Sequence, residues 1–395
     1  MKDIIYREKL NDNVNCCCRQ TNSSDFQIAL VVQTGSIKEV RGQSGIAHCM
    51  EHINLLWDKH NPDTTFYGHG YTNYFETVYI IHCKLKNYKK AIQVIGNIMS
   101  GVYITQDYVD EAISDVSIEI EHAEQKSAEI CRELYSNDLF LEKLPVGKMS
   151  DVRMLNLEKI NNFYLKRYLK SNMSICIVSS LDPVEYIELV KKRVRSIAFQ
   201  NNDMLYLNLL RSDKCIIQME PRKDGNAVVL YKNVNLDLWL PSEIKLGYDF
   251  FLDILRINLY ECYSRKYNIS GITCSLKKFY QQNRILKIRI VLRDATCKIS
   301  QIKLGLLDID VTEKQMNKIK DQYEKYKCNE HIFLNKEDFL KECIDEVIGS
   351  EKIMLIDDER KLINKLLNLS GLEINNYIKK YILKYNEREK YFELT

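Results

Sequence analysis

The stretch GIAHCMEHINLLWDKH, residues 45–60, constrains this 395-residue chain more than any other. Ile46, Ala47, Met50, Ile53, Leu55 and Leu56 recur at helical spacing, which predicts an amphipathic helix packed on a core. His48, Glu51 and His52 stand at i, i+3 and i+4, so their side chains leave that helix on one side. Two readings are open at this point. Either the polar residues decorate an ordinary packing helix, or the two imidazoles hold one metal ion with Glu51 beside it. Zinc favours imidazole nitrogen, and two histidines four apart on a helix can offer theirs to one ion. Glu51 could then take a proton from a water whose pKa the metal lowers towards ~7. The order H-x-x-E-H is the inverted form of the H-E-x-x-H zinc motif.

Composition narrows the function classes. The 57 basic and 54 acidic residues are mixed along the chain, and a net charge of +3 leaves no footprint for nucleic acid. The N-terminus MKDIIYREKLNDNVNCCCRQ carries charges where a signal peptide needs an apolar stretch. No run approaches the ~18 apolar residues of a membrane span. Thirteen cysteines, odd in number and without CxxC pairs, fit a reducing compartment, so a cytoplasmic protein is expected. Alternate residues of a strand face opposite ways, so Cys16-Cys17-Cys18 reads as strand rather than as a metal site.

Periodicity gives a coarse order of elements. FQIALVVQTGS (26–36) and TVYIIHCKL (77–85) read as strands, and YKKAIQVIGNIMSGV (88–102) as a helix. Residues 105–136 read as one long helix with Val109, Ala112, Val116, Ile120 and Ala123 on a stripe. A helix (157–169), a strand (173–183) and a helix (184–197) follow. The pattern loosens over 198–214, which places a domain boundary there and predicts domains 1–200 and 201–395. The second half repeats the style, with strands at CIIQME, NAVVLYKNV and 285–294. Its helices are expected near 242–266, 312–328, 336–348, 358–367 and 371–389. Without regular βαβ punctuation, this predicts an α+β protein of two related domains, each a mostly antiparallel sheet packed with helices.

The surroundings of the HCMEH helix carry a resemblance. GSIKEVRGQSGIAHCMEHINLLW resembles the first catalytic segment of the M16 metallopeptidases, the insulysin, pitrilysin and mitochondrial-processing-peptidase family. HGYTNYFETVY (69–79) is similar to the family's edge strand, N-A-x-T-x-x-x-x-T-x-Y, with Thr72, Thr77 and Tyr79 matching. His69 and Gly70 stand where the family has Asn and Ala. YLKSNMSICIVSSLDPVE (168–185) resembles the segment closing the first domain. The resemblance implies one zinc ion per chain, held by His48, His52 and a glutamate on the helix after 105, with Glu51 as catalytic base. Ungapped alignment puts that third ligand at Glu119, with Glu121 the runner-up. Where the family often carries a further glutamate, this chain has Ala112. The resemblance also makes the edge strand a substrate-binding element, here His69, Gly70, Tyr71 and Thr72.

Other candidates have blander readings. His60, His82 and His331 are expected at the surface or in strands, and Cys49 is expected to pack. His122, three residues from Glu119, is a candidate partner for it. The family's substrate-anchoring motif has no good counterpart in the second half. Tyr263 and Ser270 occupy the places of its Arg and Tyr, and Arg265 and Tyr267 are out of register. The resemblance therefore implies a peptide-cleaving catalytic subunit that works with a second M16-like subunit, a second copy of itself being the alternative. A non-catalytic scaffold and a zinc-stabilised peptide-binding protein are the rival readings.

Overall fold

A computed structural model describes residues 3–10, 14–123, 126–195, 215–222, 225–235, 241–264, 267–280, 283–293, 311–327, 339–349, 353–379 and 391–394. In chain order the first elements are β1 (Ile4–Leu10), β2 (Val14–Gln20), β3 (Asp25–Val32), α1 (Ile46–His60), β4 (Phe66–Thr72), β5 (Thr77–Lys84) and α2 (Tyr88–Met99). They continue with α3 (Gln106–His122), α4 (Lys126–Tyr135), α5 (Leu139–Glu142), α6 (Met149–Val152), α7 (Leu157–Arg167), β6 (Met173–Ser179) and α8 (Pro183–Arg195). After these come β7 (Cys215–Arg222), β8 (Gly225–Asn235), α9 (Pro241–Ser264), β9 (Ile269–Tyr280), β10 (Asn283–Leu292) and α10 (Glu313–Lys327). The described chain ends with α11 (Phe339–Val347), α12 (Ile356–Leu367), α13 (Gly371–Tyr377) and β11 (Tyr391–Leu394).

Two compact units result. Unit 1 comprises Met1–Glu129, Asp138–Asn208 and Leu334–Ile353, and unit 2 comprises Ile130–Asn137, Leu209–Phe333 and Met354–Thr395. They are not two contiguous halves of the chain, because α11 returns to unit 1. The expected boundary at 198–214 lies outside the described residues, as do Arg265 and His331.

Unit 1 is a six-stranded sheet of order β1-β2-β6-β3-β5-β4. Its pairs are antiparallel except β2 with β6. A parallel pair needs a long crossover, and here it contains α1 through α7. One face of the sheet carries Cys16, Cys18, Phe26, Ile28, Leu30 and Val32 into a core shared with α1, α2, α3 and α8. The other face carries Cys17, Ala29, Val31, Val78, Ile80 and Cys176, which pack against Phe339, Leu340, Cys343 and Ile344 of α11. The cysteine triplet thus alternates between the two faces, as its strand reading requires. In unit 2, a five-stranded sheet of order β11-β7-β8-β10-β9 packs its own core against α9, α10, α12 and α13. Both sheets are mostly antiparallel, and the α+β class predicted from the sequence holds.

The long helix predicted over 105–136 is broken. α3 ends at His122, and of its stripe Val109, Ala112 and Val116 are buried while Ala123 is an exposed C-cap. After Ile120 the chain reads EHAEQK, which supplies no apolar face to continue the packing.

One buried charge fastens α11 to the sheet. Arg19 in β2 has only 1 % of its surface exposed. Its guanidinium donates to Asp3 at 2.7 and 2.9 Å and to Glu342 at 2.5 Å, and lies 3.9 Å from the Phe339 ring centroid. Arg7 pairs with Glu346 beside it. Removing a buried cation takes the charged partner from its carboxylates, at a cost of about 3–5 kcal/mol. Arg19→Ala is therefore expected to lower the free energy of urea unfolding by about that amount, whereas an Arg7→Ala change at the exposed pair is expected to cost below ~1 kcal/mol.

Candidate metal centre

Helix α1 starts where Gly45 adopts φ +96° and lies against Gly147, itself at φ +92°. A Cβ built on Gly147 would come 2.6 Å from Gly45 Cα, so only glycine permits this approach. The first turn is capped from a distance: Gly45 and Ala47 N–H donate to the two carboxylate oxygens of Glu39, each at 3.0 Å. An anion at a helix N-terminus is favoured by its free amides and dipole. Burial pushes the Glu39 carboxyl up to about 8, against those two amide bonds and nearby Lys143. On the packing side, Ile46, Ala47, Cys49, Met50, Ile53 and Leu56 are buried. Cys49 is packed as expected, and burial raises its thiol pKa. Tyr79 of β5 donates to the Met50 carbonyl at 3.2 Å, tying the helix to the sheet.

On the other side of α1 the polar residues converge. The Nε2 atoms of His48 and His52 lie 3.2 Å apart. Glu119 of α3 approaches both, with Oε2 3.3 Å from His48 Nε2 and Oε1 3.3 Å from His52 Nε2. One ligand atom from each of the three lies within 4.8 Å of the others, and among the described residues no other group of three His, Cys, Asp or Glu does so. Glu121 is not part of it. Glu119 is half exposed, at 52 %, so the cluster is open on the side of α3. His122, the candidate partner of Glu119, instead places Nδ1 2.8 Å from the Ile118 carbonyl.

The donor set suits a zinc ion. Burial lowers the pKa of both His48 and His52, which keeps the imidazoles neutral and their lone pairs available. Nδ1 of His48 has an acceptor behind it, the Val146 carbonyl oxygen at 3.4 Å, which selects the tautomer whose Nε2 is free for a metal. Nδ1 of His52 lies 3.9 Å from Asp115 Oδ2, beyond hydrogen-bond length, so Asp115 acts on that ring through its charge. Asp115 is itself held by Lys59, which donates to its Oδ2 at 2.7 Å and reaches Glu111 at 2.8 Å. His60 also bonds Glu111, at 2.7 Å. Asp115→Ala is expected to weaken zinc binding by about 10–100-fold, read by chelator competition, without unfolding the chain.

The sequence reading missed Asp115. It looked for an extra carboxylate at position 112, where a buried alanine packs, although Asp115 lies four residues before Glu119 on the same helical face.

Glu51 sits next to the cluster, 8 % exposed, and its Oε2 accepts a hydrogen bond from Thr72 Oγ1 at 2.8 Å. Oε1 has no hydrogen-bond partner among the described residues. Burial raises the Glu51 pKa to about 7, opposed by the Thr72 bond. Thr72 is the last residue of β4, the outer strand of the sheet among the described residues. Of the four edge-strand candidates, Gly70 and Thr72 face α1, while His69 and Tyr71 lie on the opposite face of the strand. In unit 2, Tyr263 is buried and stacks on Tyr267 at 5.9 Å between ring centroids.

The family model for insulinase (peptidase family M16) matches residues 18–146, the span that holds all four of these site residues. Over these residues the chain is similar to peptidase family M16. The chain is 24 % identical over 187 residues to the "Probable zinc protease PqqL" of Haemophilus influenzae, covering 42 % of this chain and 20 % of that protein. An "Uncharacterized zinc protease" of Rickettsia bellii is 24 % identical over 184 residues, covering 43 % and 44 %. The chain thus spans less than half the length of these relatives. Its fold superposes on the periplasmic protease PqqL from Escherichia coli with a TM-score of 0.77 at 16 % identity, over 97 % of this chain and 47 % of that one.

Proposed function

We propose that this chain is the catalytic part of a zinc endopeptidase and that a second M16-like subunit completes its substrate site. The observation that carries the reading is the convergence of His48, His52 and Glu119 beside a buried carboxylate that is hydrogen-bonded to the outer strand of the sheet. His48 Nε2, His52 Nε2 and a Glu119 oxygen would hold one zinc ion. The chemistry zinc supplies when bound there is Lewis acidity, which polarises a peptide carbonyl and acidifies water.

Everything else falls to the chain's own residues. Glu51 takes the proton from the attacking water on its unpartnered Oε1 and returns it to the leaving amine. Thr72 fixes the other oxygen, so the carboxylate keeps one orientation through both transfers. The backbone of β4 binds the substrate as an added strand, which brings the peptide alongside Glu51. Support for a partner is indirect: the second half lacks an in-register Arg and Tyr to anchor substrate, and the periplasmic protease PqqL, of which this chain covers 47 %, carries further chain beyond the matched fold.

The test is hydrolysis of a peptide library by the zinc-loaded chain, alone and with the product of a neighbouring M16-like gene. Activity that appears only with the partner supports the reading. Full activity alone removes the partner requirement. Stable zinc binding with no hydrolysis in either case would favour a peptide-binding protein, and failure to bind zinc would favour a scaffold.

A further inference from the structure

Strand β4 has two unlike faces. Phe66, Gly68, Gly70 and Thr72 point towards α1, where a Cβ on Gly68 would meet Trp57 at 2.8 Å and one on Gly70 would meet the Val78 carbonyl at 2.6 Å. That face is full, and its side-chain bulk has been removed. Tyr67, His69 and Tyr71 stand on the opposite face, with Tyr67 41 % and Tyr71 39 % exposed. His82 of β5 lies opposite Tyr67 in the register and fills the space behind them. Its ring stacks on Tyr67 (centroids 5.0 Å, 14°) and on His69 (5.1 Å, 11°). Burial lowers the pKa of His69 and takes that of His82 to about 4, so both rings are neutral near pH 7. The result is an uncharged aromatic stripe along the outer strand, on the face opposite Thr72, which bonds Glu51.

A strand paired with β4 has its side chains alternating between the same two faces. Those on the stripe's face come within about 4.5–5.5 Å, Cβ to Cβ, of Tyr67, His69 and Tyr71. We infer that this stripe reads every second residue of an extended peptide substrate and favours aromatic and β-branched side chains at those positions. The inference rests on the peptidase reading for its occupant, an extended peptide laid along β4. Side chains at the intervening positions fall on the side of α1 and Glu51, where the glycines leave no ring to stack on.

The test uses the full zinc-loaded chain and fluorescent polar peptides in which two phenylalanines, two residues apart, are moved along the sequence one position at a time. Affinity is read by anisotropy. The expected result is an alternation of period two, about 1.5- to 5-fold per aromatic contact, that flattens in Tyr71→Ser and His69→Ser. Both variants change exposed residues, and circular dichroism checks that they fold. Affinity without alternation, alternation unchanged in both variants, or no binding of any peptide overturns the inference. So does loss of a chain dimer in Tyr71→Ser, which would assign the stripe to a second copy of the chain. Cleavage of the same peptides separates the two claims. Alternating affinity without cleavage, whether or not the M16-like partner is added, keeps the stripe and sinks the peptidase; cleavage without alternation does the reverse.

Discussion

Glu51→Gln is expected to leave zinc content unchanged and to lower kcat by about 10²–10⁴-fold, the usual contribution of a positioned general base. The carboxylate is buried and adjacent to the His–His–Glu cluster but is not one of its converging donors. An amide of the same shape can still accept the Thr72 hydroxyl through its carbonyl oxygen, so packing and the strand contact survive. What it cannot do is take up a proton. The loss should fall on kcat with KM little changed, because β4 and its backbone are untouched. Loss of zinc from this variant would show that Glu51 holds the site together, and unimpaired turnover would take the base role away from it.

The second large effect distinguishes two glutamates on one helix. Glu119→Ala is expected to weaken zinc binding by more than ~100-fold, beyond what loss of an outer partner costs. His48→Ala should do the same. Glu121→Ala, two residues away, should change affinity by less than a few-fold. Helix geometry separates the two carboxylates by about 200° around α3. Only Glu119 reaches both Nε2 atoms, at 3.3 Å each. Equal losses from Glu119→Ala and Glu121→Ala would mean that α3 is rotated from the position described. Titration with a chelator of known affinity reads all three variants.

Much of this site was legible in the sequence because it is local. The i, i+3, i+4 spacing of His48, Glu51 and His52 fixes their common face once α1 is a helix, and α1 is a helix because its apolar residues repeat at that period. Glu119 needed the family resemblance to be read as a ligand, and the spacing of α3 agreed, since Glu119 lies near the Ala112–Val116 stripe and Glu121 about 200° away from it. Other features depend on contacts distant in sequence. That α11 packs on the first sheet rests on Arg19 meeting Glu342 and Phe339, more than three hundred residues on, and no periodicity announces it. The end of α3 was missed because a weak stripe was extended through charged residues. The split faces of β4 were in plain view: glycine alternates with tyrosine and histidine in FYGHGYT, a period of two that marks one packed face and one open face. It went unread because the strand was matched to a motif from residue 69 onward, which left Phe66, Tyr67 and Gly68 out of the alternation.

The zinc site is tested most directly by the metal content of the purified chain. Measured by inductively coupled plasma mass spectrometry after dialysis against metal-free buffer, zinc is expected at about one ion per chain, falling to none in the His48→Ala and Glu119→Ala variants. A chain that binds no zinc, or one whose zinc survives both substitutions, would contradict it.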